Sequence, residues 1–368
     1  MRAPLTRFDL HVLRRFLTAL ALLLALLVVT FVTFDYAERV DDFLDRGATM
    51  AQVFGTYYPH YAFDMVRLTS PLAAFLAALY VTARLAQSMQ LTALHSAGVS
   101  LARYARPFAL AGLVLTAGLV LFNGYAVPRA NRVVFAFQNQ YFADTPEQAT
   151  GGELFRQASP LAVLAVGFFE RDAAQAYRVS LVETDTSGGR TVTRRLDAPQ
   201  MTWDDSLGVW EVRDATLRTF ADGRERFQAI PVLDTALAVT PDDLARSERD
   251  AQRQTLTETA ETLDAMRRAG VTDRAATLVG LHAKIAYPLS TLILILLGVP
   301  LAAQRRRGGQ AVVLGLGLVI AFLYFAMQRI LEPLGASGDL PPVVAVWTPH
   351  VVFALVTLAV FLRARRVA

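Results

Sequence analysis

Arg14-Arg15-Phe16-Leu17-Thr18-Ala19-Leu20-Ala21-Leu22-Leu23-Leu24-Ala25-Leu26-Leu27-Val28-Val29-Thr30-Phe31-Val32-Thr33-Phe34-Asp35 sets an uncharged apolar run between two arginines and an acidic exit. Phe16–Phe34 is close to the roughly 20 helical residues that cross a hydrocarbon core. No small-residue cleavage site follows it, and the chain continues as Tyr36-Ala37-Glu38, so the run reads as a retained span rather than a removable signal peptide.

Five further stretches repeat the pattern. Pro71–Ala83 is short alone, and Tyr61–Thr69 extends it at the cost of carrying Asp64 and Arg67; Pro107–Val127, Ile285–Ala303, Ala311–Met327 and Val343–Leu362 follow. Arginines fix their direction, because positive residues stay on the cytoplasmic side. Arg2, Arg7, Arg14 and Arg15 precede the first span. Arg84, Arg103 and Arg106 lie between the second and third, Arg305, Arg306 and Arg307 between the fourth and fifth, and Arg363, Arg365 and Arg366 after the sixth. The opposite loops hold Asp35, Glu38, Asp41, Asp42 and Asp45, then Glu332 and Asp339. Both termini are therefore expected in the cytoplasm, with the long insert between spans three and four outside.

Composition agrees. Of 368 residues 54% are hydrophobic and 18% charged, below the about 25% charged of soluble domains. The net charge of +4 sits in clusters beside apolar runs, not along one soluble face, which argues against nucleic acid. Cysteine is absent, excluding disulfides and thiolate chemistry, and Lys284 is the only lysine among 36 basic residues.

The insert from about Asn131 to Gly280 cannot span a bilayer. Between Leu161 and Val232 apolar residues alternate with polar ones, as in Tyr177, Val179 and Leu181 or Trp210 and Val212, which reads as strands with one buried face. Ser187-Gly188-Gly189, Asp204-Asp205-Ser206-Leu207-Gly208 and Asp222-Gly223 are turn signals, the last a hairpin between Ala215–Phe220 and Glu225–Ile230. A small sandwich or jelly roll is expected. Thr255-Leu256-Thr257-Glu258 is a capping box opening a connecting helix, with Gly270 as its stop. The expected parts are a transmembrane half at 1–130, the β domain at 131–254, a connecting helix at 255–280 and a second transmembrane half at 281–368.

Little in the sequence points to catalysis. There is no phosphate-binding G-x-x-x-x-G-K-[ST] loop, and Gly315-Leu316-Gly317 lies inside a span, where small residues serve helix packing. His11, His60, His95, His282 and His350 lack metal-ligand spacing; His350 reads as an interfacial or packing residue. No charge occupies the middle of a span, which counts against proton-coupled transport. No catalytic residue, metal or cofactor is expected.

Three positions invite a functional reading. Arg84–Gly98 joins two spans on the cytoplasmic side, with Leu85, Met89 and Thr92, and then Leu91 and Leu94, at helical spacing and Gly98 able to end the helix. It is either an interfacial helix lying on lipid or one that docks into a cytoplasmic partner. Arg129 and Arg132 leave the third span on the outer side, where Arg39, Arg46 and Arg67 also fall; singly they are juxtamembrane charge, together a set that can grip anionic lipid groups. Lys284 reads as snorkelling from the start of the fourth span, and Pro288 as a kink one turn inside it.

Several stretches resemble the LptF/LptG permease family: Gln90-Leu91-Thr92-Ala93-Leu94-His95-Ser96-Ala97-Gly98-Val99-Ser100, Val127-Pro128-Arg129-Ala130-Asn131-Arg132, Met266-Arg267-Arg268-Ala269-Gly270-Val271, Leu281–Leu289, Leu297-Gly298-Val299-Pro300-Leu301, Arg306-Arg307-Gly308-Gly309 and Leu340-Pro341-Pro342. They occur in the family's order across both membrane halves. The resemblance implies an α-helical polytopic inner-membrane protein, six spans split three and three, with an inserted periplasmic β-jelly roll. It implies a non-catalytic permease subunit of an ABC transporter that extracts lipopolysaccharide and passes it to periplasmic bridge proteins. The partners implied are a second LptF- or LptG-like permease and a cytoplasmic ATPase dimer, and the C-terminal half resembles LptG somewhat more. Arg84, Leu85, Met89, Gln90, Leu91, Leu94 and Gly98 would form the ATPase-coupling helix, and Arg39, Arg67, Arg129 and Arg132 are the lipid-binding candidates. Gln90 stands where the family usually has glutamate, and the residues after the first span, basic in well-studied LptG proteins, are mostly acidic here. The rival readings are another ATP-linked permease that releases lipid or lipoprotein, and a membrane-anchored β-domain scaffold without transport.

Overall fold

The structure is a computed structural model that describes residues 6–141, 154–159, 161–170, 173–185, 191–221, 224–235, 237, 239–241, 244, 252–268, 274–303 and 309–367. Arg2, Arg305, Arg306 and Arg307, the Ser187-Gly188-Gly189 and Asp222-Gly223 turns, and Gly270 lie outside the described residues. The described chain falls into two compact units. One takes Met1–Tyr141, Gln252–Leu263 and Ala275–Ala368, and the other Phe142–Ala251 and Asp264–Arg274.

Six helical rods of the first unit are long and apolar enough to cross a membrane. The first is α1 (Arg7–Asp45). The second joins α2 (Met50–Gln52) through a π-turn, Val53–Tyr57, to α3 (Tyr58–Gln87). After the short α4 (Gln90–Ser96), the third joins α5 (Leu101–Leu121) through a π-turn, Phe122–Ala126, to α6 (Val127–Tyr141). Then come the connecting α7 (Leu256–Arg268), and the last three spans, α8 (Ala275–Ala302), α9 (Gly309–Ala336) and α10 (Pro342–Val367). At 1.5 Å per residue the 39-residue α1 is about 58 Å long, well beyond a hydrocarbon core of about 30 Å. The Tyr61–Thr69 extension of the second span is thus helical, and α6 carries the third helix to Tyr141, past the expected domain boundary at 130. The fourth helix begins at Ala275, before residue 281, and passes through Pro288 and Pro300.

The most buried rods are α3 and α8, one from each half, and they pack on each other. Glycine makes that contact close: a Cβ at Gly298 would lie 3.2 Å from the Phe75 ring and 3.3 Å from the Ala78 Cβ. The packing role expected of Gly315 and Gly317 belongs to Gly317 alone. A Cβ there would run into the Leu79 side chain, whereas Gly315 has open space. α1 and α5 flank α3 and α8 on one side, with Val12, Phe16, Leu85, Leu101, Tyr104, Phe108 and Ile295 in one core. α9 and α10 close the other side around Phe75, Leu79, Leu294, Tyr324 and Phe353. His350 is buried there, its Nδ1 3.0 Å from the Val346 carbonyl and its ring edge-on to Tyr324, a packing residue as expected. Between Leu20 and Asp35 no residue of α1 is fully buried: Leu23, Leu24 and Leu27 pack half-buried against the core, and Leu22, Leu26, Val29 and Phe34 point outward.

The second unit is a six-stranded antiparallel sheet: β1 (Leu154–Ser159), β2 (Ala162–Glu170), β3 (Gln175–Asp185), β4 (Thr191–Asp204), β5 (Val209–Ala221) and β6 (Arg224–Thr235). Spatial order follows chain order, so each connection is a hairpin. The expected all-β insert between the third and fourth spans is therefore present. Its buried face carries Leu164, Val166, Ala176, Val179, Met201, Trp210 and Val212, capped by Val239 and Leu244. The Trp210 indole donates to the Val239 carbonyl at 2.6 Å. The Asp204–Gly208 turn forms as its residues require: Asp204 Oδ1 accepts from the Ser206 N–H at 2.8 Å, and Gly208 takes φ +66°.

Candidate functional site

The segment between α3 and α5 is a helix held on two left-handed hinges. Met89, at φ 59°, breaks the chain direction after α3, and Gly98, at φ +82°, ends α4. The Gly98 N–H reaches the His95 carbonyl and the Val99 N–H the Leu94 carbonyl, both at 2.9 Å, the paired closure for which glycine is favoured at a helix C-terminus. Ser100 then caps α5 by accepting from the Arg103 N–H.

The leucines expected to dock face inward. Leu91 and Leu85 are each 1% exposed, in the core with Val12, Phe16 and Tyr104, and Leu94 packs against the same cluster. Burying Leu91 contributes about 1.5–3 kcal/mol, which anchors α4 to the spans. The outward face is instead Arg84, Met89, Gln90, Thr92, Ala93, Ser96 and Ala97, all exposed. Beside it, Arg103 grips Asp9 with both guanidinium arms at 2.8 and 2.7 Å, while Asp9 also accepts from the Thr6 N–H and hydroxyl. That buried carboxylate joins the start of α1 to the start of α5. The pair is 94 residues apart in the chain, and only its local part, the Thr6–Asp9 cap, has a sequence signature.

At the opposite ends of the spans the candidate arginines are largely engaged. Arg39 Nε donates to the buried Asp35 at 2.9 Å, and the Tyr57 and Tyr58 hydroxyls donate to the same carboxylate at 3.2 and 3.3 Å. Gln138 of α6 donates to the Tyr57 oxygen at 3.2 Å, so the end of α1, the first π-turn, α3 and α6 share one network. The rings of Tyr36, Phe43, Phe54, Tyr61 and Phe137 pack around it. Arg67 pairs with Asp64 at 2.7 Å. Arg132 donates to the Arg253 carbonyl at 3.0 Å and to Glu258 at 2.5 Å. Glu258 is the capping-box residue of α7, its carboxylate accepting from the Thr255 N–H at 2.8 Å and its own N–H reaching the Thr255 hydroxyl. The Arg132 guanidinium, helped by the Thr255 N–H, holds that carboxyl below the usual carboxylate range. Arg129 is exposed and has no ion-pair partner among the described residues. Lys284 does not snorkel as expected: it is 9% exposed, enclosed near Asn123, which donates to its carbonyl. Glu332, expected in a loop, lies within α9 and accepts from the Tyr287 hydroxyl.

Two buried central spans, four flanking spans and an inserted antiparallel sheet define a polytopic membrane protein of three-plus-three architecture. A family model described as lipopolysaccharide export system permease LptF/LptG matches residues 10–363. The chain belongs to that family. Comparison with curated proteins gives no match.

Proposed function

We propose that this chain is the membrane subunit of an ATP-driven exporter that lifts lipopolysaccharide out of the inner membrane and passes it through its β domain to periplasmic bridge proteins. The observation that carries the reading is the family match over residues 10–363, which takes in both membrane halves and the insert. ATP hydrolysis falls to a separate cytoplasmic ATPase dimer, and a second LptF- or LptG-like permease completes the cavity. Both termini are cytoplasmic and the β domain periplasmic, as the arginine asymmetry supports.

The ATPase docks on the exposed face of α4, through Arg84, Met89 and Gln90. Leu85, Leu91 and Leu94 serve from below, fixing that face to α1, α3 and α5, so a push on α4 reaches the spans through packed side chains. With Gln90 in place of the family's glutamate, the contact there is a neutral hydrogen bond. Among the lipid-binding candidates Arg129 has the freest guanidinium, while Arg39, Arg67 and Arg132 shape the outer ends of the helices through their carboxylates. The test is affinity purification of the chain from its native membrane. A co-purifying ATPase and second permease, together with bound lipopolysaccharide, are expected; a chain recovered alone, without lipid, overturns the reading. Reporter fusions check direction: a reporter active only in the periplasm is active when fused within Leu161–Val232 and silent after Arg307.

A further inference from the structure

One row of residues fails to pair across five strands of the sheet. The registers of the four hairpins align Gly167, Arg178, Pro199, Asp214 and Pro231 in a single line perpendicular to the strands. Arg178 and Asp214 both take φ 52°, a left-handed conformation that costs side-chain-bearing residues about 1–2 kcal/mol each. Pro199, in a central strand, has no N–H to offer the ladder. Gly167 is required: a Cβ there would sit 2.7 Å from Arg178 Nε, because the arginine lies flat across it. Strain of this kind persists where surrounding structure enforces it and concentrates at functional sites.

The row opens a cleft of about 450 Å3 on the face opposite the core, lined by Gly167, Arg178, Ser180, Asp197, Asp214 and Thr216. Asp197 is already shared by Arg195 at 2.9 Å and Arg218 at 3.5 Å. Arg178 reaches only the Gly167 carbonyl, at 3.4 Å, and Asp214 has no hydrogen-bond or ion-pair partner among the described residues. Two strand spacings, about 9.6 Å, separate their positions in the row, and Arg178 lies the other way, across Gly167. The Ser180 hydroxyl is buried without a hydrogen bond, although buried polar atoms are nearly always satisfied.

We propose that this cleft binds an anionic saccharide, a sugar bearing a phosphate or carboxylate. The anion sits on Arg178 and the Ser180 hydroxyl, where a guanidinium offers paired hydrogen bonds, and sugar hydroxyls donate to Asp214. A neutral sugar leaves the guanidinium unmet, and a bare anion leaves the carboxylate unmet. Resting on the export reading above, the ligand is the charged sugar headgroup of the glycolipid cargo, held on the polar face of the sheet.

The test titrates the full chain in detergent with glucose 1-phosphate, glucuronate, glucose and inorganic phosphate, followed calorimetrically. Glucose 1-phosphate or glucuronate binds, the stronger identifying which anion the cleft prefers, and both other probes bind at least about tenfold more weakly. Arg178→Asn and Asp214→Asn, which keep a residue tolerant of the left-handed backbone, each weaken the preferred probe at least about tenfold. Ser180→Ala, outside the strained row, weakens it with an unchanged melting temperature. Phosphate binding as tightly as glucose 1-phosphate, indifference to Asp214→Asn, or no binding by any probe overturns the proposal. If binding is absent while the ATPase still co-purifies with the chain, the cleft is wrong and the export reading stands; a chain that also purifies alone defeats both.

Discussion

Leu91 and Met89 are two residues apart, yet perturbing them separates anchoring from docking. Leu91→Ala removes three buried carbons, a transfer loss of about 2.4 kcal/mol at about 0.8 per carbon. The cavity term adds to this, but α4 is a single short helix at the edge of the spans and can settle inward. The expected destabilisation is therefore about 2–3 kcal/mol, the lower part of the range for buried leucines. Met89 is 49% exposed and takes φ 59°, a conformation aspartate tolerates better than methionine, so Met89→Asp does not destabilise the fold. Melting of each variant in detergent, and the amount of ATPase recovered with it, are measured together. Leu91→Ala melts several degrees lower. Met89→Asp melts like the wild type and loses ATPase, because a charge now sits in an apolar contact. An unchanged melting temperature for Leu91→Ala, or a lowered one for Met89→Asp, refutes the assignment of faces. Leu91→Asp answers neither question, since it buries an unpaired charge in the core.

Gly317→Ala drives a methyl into Leu79 and costs about 1–3 kcal/mol, whereas Gly315→Ala is neutral, and thermal melting of the two variants checks the difference. Because Arg132 lowers the Glu258 pKa on folding, the pair's stabilisation is present above the unfolded glutamate value, about 4.3, and fades as pH falls through the lower folded value. Both side chains are over two-fifths exposed, so a double-mutant cycle of Arg132→Ala and Glu258→Gln at pH 7 gives a coupling below about 1 kcal/mol, and less in high salt. Arg129→Ala lowers lipopolysaccharide retained per folded complex without shifting its melting temperature, whereas Arg132→Ala speeds hydrogen exchange at the start of α7.

The spans and the existence of an all-β insert were legible because each rests on a local property: apolar length or alternation of two. Caps were legible too, since the Thr255–Glu258 box and the Gly98 stop are short-range chemistry. The face of α4 was not, because the leucine spacing of a short helix is the same whether its apolar stripe meets the protein's own spans or a partner. Lys284 was misjudged for a related reason: snorkelling depends on what surrounds the helix start, and burial near Asn123 is set by α8 packing against the second π-turn. The arginines show the same limit. A sequence displays Arg103 and Arg132 as available charge, and only the tertiary structure brings Asp9 and Glu258 to them, whereas Asp35 lies one helical turn from Arg39 and their pairing was open to reading from spacing. The creased row across the sheet lies furthest from sequence reading, since Gly167, Arg178, Pro199, Asp214 and Pro231 become neighbours only when four hairpin registers are set. What the sequence alone determined here was the kind of environment each segment seeks; which groups meet within it was decided by packing, because contacts between distant residues have no signature at either position.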